Sequence, residues 1–240
     1  MTPKADKFIS DVRHAAWQEQ KPRTMTVSDL LDPAAISKAL RRLSQWLTPQ
    51  VADEYDPNEF ANLPGDQKNE LDEAVKAFRN SAERSHAGQP ASDESVREGL
   101  KTFGRLKTAI QKVTLVDWES AANALIRRVE DWANESGWIT RRESKILTET
   151  LLGSYRLDRL YLHAEGNLYI LDPLARFVAG GSGTYELSIQ PSSNTNAIYR
   201  HSDGTWRVLL RSDGDPEVGE GDPLSKELFV AAIRELRSQL

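Results

Sequence analysis

The chain has 240 residues, a net charge of −5, 39% hydrophobic and 28% charged residues, and no cysteine. That composition belongs to a folded protein with room for one large domain or two modest ones. It excludes disulfides, thiolate zinc sites and a cysteine nucleophile, holds no apolar run near the ~20 residues that cross a bilayer, and its charge argues weakly against a general nucleic-acid binder.

The opening residues, MTPKADKFISDVRHAAW, lack the basic-then-apolar layout of a signal peptide and read as an amphipathic helix with Phe8, Val12, Ala15 and Ala16 on one side. A cytoplasmic location is expected. DPAAISKALRRLSQWL follows, with Asp32 as N-cap, Pro33 at the first helical position and a stripe of Ile36, Leu40, Leu43 and Leu47. NELDEAVKAFRNSAE repeats the pattern through Leu71, Val75 and Phe78. Residues 51–100 carry 5 Lys/Arg against 12 Asp/Glu, either a solvated helical face or a contact surface for a partner.

HAGQPASDES, residues 86–95, has no periodicity and reads as a linker, so the chain divides into an α-helical region, 1–90, and an α+β domain, 91–240. A helix capped by Ser92 then buries Val96, Leu100, Phe103, Ile110 and Val113. Another is expected from Asp117 to Ser136, with Trp118, Leu125, Val129 and Trp132 inward and Gly137 as its stop. Beyond Gly137 the period changes. WITRRESKIL could continue as helix or open a strand, the strand being preferred, and YRLDRLYLH, NLYILD, LARFVA, TYELSIQ, NAIYRH and TWRVLL follow in strand pattern. PLSKELFVAAIRELRSQL closes the chain as a helix with Leu228, Phe229, Ala232, Ile233 and Leu236 apolar. The fold class is α+β: a helical N-terminal half, then an antiparallel meander of about five to six strands flanked by helices, both on one sheet face.

Three turns set the neighbours of the polar side chains. A two-residue turn at Glu165-Gly166 puts Leu162 opposite Tyr169, Leu160 opposite Leu171 and Arg159 opposite Asp172. A two-residue turn at Asp203-Gly204 puts Tyr199 opposite Val208 and Arg200 opposite Arg207, where the two guanidinium groups either splay into water or hold an anion between them. The third is FVAGGSGTYELSIQP, with three glycines and a serine between apolar runs. A phosphate loop needs a helix after it and a lysine for the phosphates, whereas TYELSIQP is β-rich and ends in proline. It reads as a hairpin loop, with Val178 opposite Tyr185 and Arg176 opposite Leu187. Arg176 is then a charge on an apolar face.

The four histidines never fall at HxH or HxxxH spacing, and SDGDPEVGEGD (212–222) lacks the spacing of a calcium loop. No nucleophile elbow, Walker motif or dinucleotide fingerprint is present. Trp46, Trp118, Trp132 and Trp206 fall on expected core stripes, while Trp17 and Trp138 have no assigned place. A helix, a hairpin ending in Asp172, then a strand carrying Glu186 resembles in layout the core of the PD-(D/E)xK nucleases. The resemblance implies Mg²⁺ or Mn²⁺ held by Asp172 and Glu186 and a DNA or RNA substrate. That family's lysine, two residues past the glutamate, is Ser188 here, with Gln190 further along the same face.

The leading expectation is a non-enzymatic protein-interaction or ligand-binding module without a cofactor, acting on a protein partner or a second copy of itself. A small anionic ligand would meet Arg176, Arg200 and Arg207, beside Asn194 and Asn196 of the polar loop PSSNTN. The divergent metal-dependent nuclease is the alternative.

Overall fold

The computed structural model describes residues 3–20, 55–61, 63–86, 93–177, 181–201, 203–210 and 221–240. Among them are four α-helices, α1 (Pro3–Gln20), α2 (Gly65–His86), α3 (Asp93–Glu135) and α4 (Lys226–Ser238), and one 3₁₀ turn, Pro57–Phe60. Seven strands follow α3: β1 (Ile139–Glu149), β2 (Gly153–Ala164), β3 (Asn167–Ala175), β4 (Gly181–Gln190), β5 (Thr195–His201), β6 (Trp206–Leu209) and β7 (Asp222–Pro223). They form one antiparallel sheet in sequence order. The fold is α+β, helices first and meander afterwards. No described helix is long and apolar enough to cross a membrane.

The chain forms two compact units, one of Pro3–Leu115 with Thr150–Leu152, the other of Val116–Glu149 and Gly153–Leu240. In the helical unit most of the expected stripe residues that are described are buried; Leu100 is half-buried, and the side chain of Val96 lies outside the described residues. Phe8 and Val12 of α1 are joined inside by Ala5 and Ile9, and Phe8 packs 5.2 Å from Tyr55 and 6.2 Å from Phe60, ring centre to ring centre. Leu71, Val75, Phe78 and Ala82 line one side of α2, and Phe103, Leu106, Ile110 and Val113 one side of α3, each at the three-and-four spacing of a helix face. Phe78 meets Phe103 at 5.7 Å. The side chains of Ala15, Ala16 and Trp17, the helix expected after Asp32 with its Trp46, the Ser92 cap, most of the 86–95 linker and nearly all of the 212–222 loop lie outside the described residues.

Two expected helices are one. Between Val113 and Asp117 the sequence runs TLV, without glycine or proline, so nothing interrupts the ladder of amide hydrogen bonds and α3 continues for 43 residues. Its end is as expected. Gly137 takes φ +72, the Trp138 N–H donates to the Ala133 carbonyl at 2.9 Å and the Gly137 N–H to the Asn134 carbonyl at 3.1 Å. This left-handed stop satisfies carbonyls that the helix itself cannot pair.

Strand alternation gives the sheet two unlike faces. Tyr169, Leu171, Tyr185, Leu187, Ile189, Ile198 and Val208 share one face and are buried. Both helices of this unit lie against that face. Trp118 of α3 sits 6.1 Å from Tyr185 and 6.0 Å from Trp206, and Phe229 of α4 meets Trp132 at 5.9 Å. Ser225 caps α4, its hydroxyl accepting from the Leu228 N–H, and Phe229, Ala232, Ile233 and Leu236 are buried as their spacing requires. The opposite face is exposed or half-buried over most of its extent.

The turns behave differently from one another. Glu165 (φ +50) and Gly166 (φ +81) form the two-residue turn, and the register is as expected: Leu160 faces Leu171 and Leu162 faces Tyr169. The Asp203-Gly204 turn is one residue longer. The His201 N–H donates to the Thr205 carbonyl at 2.8 Å, leaving three residues between them. Arg200 therefore faces Trp206 and Tyr199 faces Arg207, so Arg200 and Arg207 lie on opposite faces. The glycine run is a connection between strands, and a strand follows it. Its register differs from the expected one: β3 ends at Ala175 rather than continuing through LARFVA, Tyr185 faces Pro173 and Leu187 faces Leu171. Gly181 pairs instead with His201 of β5.

Candidate functional site

The sheet face on which none of the described helices packs carries a ladder of charges that follows from register alone. Glu143 of β1 faces Arg159 of β2, Asp172 of β3 faces Glu186 of β4, and Glu186 faces Ala197 of β5, which faces Leu209 of β6. Arg159 Nε donates to Asp172 Oδ1 at 2.7 Å and Nη2 to Oδ2 at 3.3 Å. Lys145 Nζ donates to Asp172 Oδ2 at 2.8 Å and to the Pro173 carbonyl at 2.8 Å. Half-burial alone would raise the Asp172 pKa, but the hydrogen bonds and charges of Arg159 and Lys145 outweigh it and hold the carboxyl below its usual range. Both oxygens are thus occupied by cations.

Glu186 is half-buried beside this pair, and no ion pair or hydrogen bond reaches its side chain from any described residue. Two carboxylates directly opposed on adjacent strands repel. Here the repulsion is relieved from the Asp172 side only. Ser188 follows on the same face, and Gln190 is exposed at the end of β4. Among the described residues no three His, Asp or Glu side chains are grouped as a metal site needs. A divalent cation on Asp172 would have to displace Arg159 or Lys145. Because the three side chains are 20–26% exposed, Asp172→Asn is expected to cost about 1–2 kcal/mol in a urea titration, between the values of surface and interior pairs.

A second cluster lies on the covered face. Arg200 extends both guanidinium nitrogens to Asp117 of α3, Nη1 to Oδ2 at 2.6 Å and Nη2 to Oδ1 at 3.3 Å. Arg176 reaches the same carboxylate, Nη2 to Oδ2 at 3.9 Å. Desolvation pushes the Asp117 pKa upward, the Arg200 hydrogen bonds and charge and then the Arg176 charge pull it down, and the net direction is downward. Where the chain leaves β3, Glu149 accepts the N–H groups of Arg176 at 2.9 Å and Phe177 at 3.1 Å, together with the Tyr155 hydroxyl. The carboxylate that two arginine forks require is supplied from within this chain.

The remaining candidates are dispersed. Arg207 lies on the other face, with Nη1 on the Gly221 carbonyl at 3.2 Å and Nη2 3.5 Å from Asp203. Asn196 is buried and donates to the Ala232 carbonyl at 3.4 Å and to Glu235 at 3.1 Å. Asn194 donates to the Gln239 carbonyl at 3.3 Å. Both amides therefore tie the start of β5 and the loop before it to α4 and its end. The structure brings together Asp172 with Glu186, and Arg176 with Arg200, and separates Arg207 from both pairs.

Sequence reasoning missed Lys145, Glu143, Asp117 and Glu149. Alternation along ITRRESKIL marks Glu143 and Lys145 as sharing a face, which was enough to place them once β1 pairs with β2. Asp117 carries no such signal, since an acid beside a helical apolar stripe is ordinary. No protein-family model, no curated protein and no solved structure matches this chain. Its class is therefore the one its own fold defines, an antiparallel meander with helices on one face.

Proposed function

We propose that the chain is a non-enzymatic cytoplasmic protein-interaction module, and that the sheet face away from the described helices is the contact surface. Glu186 carries this reading. It is a half-buried carboxylate at the centre of that face, without a cation from the described residues, next to the apolar steps Ala197 and Leu209. Such a surface suits a protein segment that presents an arginine or lysine flanked by apolar side chains, because a partly desolvated carboxylate gains most from a charge-assisted hydrogen bond.

The engagement of Asp172 by Arg159 and Lys145 weighs against the nuclease reading, and the sharing of Asp117 by Arg176 and Arg200 weighs against a small anion between them. The purified chain, incubated with DNA and RNA in Mg²⁺ or Mn²⁺, is expected to cleave neither. Metal-dependent cleavage lost in both Asp172→Ala and Glu186→Ala would overturn the proposal. A partner captured by the wild-type chain is expected to be lost from Glu186→Lys, and hydrogen exchange in the complex to slow on β3, β4 and β5.

A further inference from the structure

The two edges of the sheet are protected very unequally. β7 is two residues long and contains Pro223, so it offers almost nothing to a further strand. β1 is eleven residues long, with no proline and no bulge in its pairing to β2. Arg141, Arg142, Glu143, Ser144, Ile146 and Thr148 are exposed, Ile146 at 60%. Among the described residues no strand pairs with its outer edge, and an edge of this length, about 36 Å, is a template for another chain unless its side chains forbid it.

The order of those side chains selects a partner. In a sheet continued across a two-fold axis, paired residues keep the same face, so the axis must fall at a residue position and not between two. With the axis at Ser144, Glu143 of each copy faces Lys145 of the other, Arg142 faces Ile146, Arg141 faces Leu147 and Thr140 faces Thr148. No like charges meet. With the axis at Glu143, Glu143 faces itself and Arg141 faces Lys145. At Lys145, Lys145 faces itself. At Arg142, Arg142 faces itself. One register is complementary and each neighbouring one places like charges together.

We propose that β1 pairs antiparallel with β1 of a second copy about a two-fold axis at Ser144, joining two seven-stranded sheets into one. The two outer faces become continuous. Lys145 has three N–H donors, two of them used by Asp172 and the Pro173 carbonyl. Both acceptors lie on β3, two strand spacings inward from β1, so Lys145 swings back from them to meet Glu143 of the partner copy and leaves Asp172 to Arg159, while Ile146 covers the aliphatic stem of the partner copy's Arg142. The pairing stands whether or not the outer face binds another protein.

Sedimentation and light scattering over a concentration series test it. The wild-type chain is expected to dimerise, and Glu143→Lys, which sets lysine against Lys145 twice per dimer, to weaken the dimer by roughly tenfold or more. Lys145→Glu should do the same. Mixing the two variants restores both opposite-charge pairs, so a heterodimer is expected from two chains that are each monomeric alone. Circular dichroism and a urea midpoint check that each variant is folded, and Glu143→Lys, which leaves the Lys145–Asp172 pair intact, stands alone if Lys145→Glu is not. A wild-type chain monomeric up to ~1 mM, the weak limit of specific association, overturns the proposal. So does a dimer that both single variants leave unchanged. Two monomeric variants that fail to pair when mixed overturn the Ser144 register.

Discussion

Gly183→Ala is expected to destabilise the sheet unit by about 2–6 kcal/mol, an unusual cost for adding one methyl group. Gly183 lies at the start of β4 with φ +145, a backbone conformation side chains disfavour. A Cβ there would lie 2.5 Å from Cη2 of Trp118 and closer still to Cζ3. The indole cannot retreat. It is fully buried, and its ring is held between Tyr185 and Trp206, which themselves meet at 5.9 Å. Overpacking a tight core costs about 1–3 kcal/mol and a forced backbone angle about the same again. Gly166→Ala is the control. Gly166 also has positive φ, +81, but a Cβ there meets nothing within 4 Å, so only the backbone cost of about 1–2 kcal/mol should appear. Urea midpoints of the two variants separate the contributions. Equal losses would show that the Trp118 contact is not what requires the glycine. In a Trp118→Phe background, where the smaller ring leaves room, Gly183→Ala should cost measurably less.

The glycine run therefore serves packing, through the approach of a tryptophan to bare backbone, and that purpose was not legible in the sequence. The run was recognisable as a connection between strands because TYELSIQP is β-rich. Its register was not, because β3 stops at Ala175, where Glu149 takes over the N–H groups of Arg176 and Phe177. That acceptor lies 27 residues away and leaves no local mark. The two short turns make the same point. Glu165-Gly166 and Asp203-Gly204 look alike in sequence, yet Asp203 Oδ1 accepts both the Thr205 N–H at 2.8 Å and its hydroxyl at 2.6 Å, which favours the longer loop. One extra residue sends Arg200 to the covered face and Arg207 to the opposite one. β2 departs from simple alternation as well: Tyr155 and Leu157 are buried on one face, Leu160, Leu162 and Ala164 on the other. Helix faces, the Gly137 stop and the Arg159–Asp172 pair depend on local spacing, and these were readable; residues 139–149 fit helix or strand by their local pattern, and pairing with β2 along the whole length decides for the strand.

Asp117→Asn is expected to cost about 3–5 kcal/mol, the range for breaking an interior ion pair from one side. The substitution keeps the shape and removes the charge. Side-chain exposure is 17% at Asp117, 9% at Arg200 and 2% at Arg176, so water screens little of the loss. The Arg200 fork would then face an amide whose NH₂ end cannot accept its hydrogen bonds. The pH dependence identifies the mechanism. Because the folded-state pKa of Asp117 lies below its ordinary value, its contribution is complete at neutral pH and fades as pH falls through the usual carboxylate range, about 4, toward the folded value. Asp172 shifts in the same direction and adds to the acid loss in both proteins. The stability difference between wild type and Asp117→Asn should therefore be largest near neutrality and shrink in acid, as measured by urea titrations at a series of pH values. A constant difference would assign the loss to packing. Replacing the whole cluster by apolar residues, Asp117→Leu with Arg176→Met and Arg200→Met, should cost less than Asp117→Asn alone, since no charge is then left inside to be solvated. If the triple variant is the less stable of the two, the two arginines hold the sheet through contacts other than the carboxylate they share.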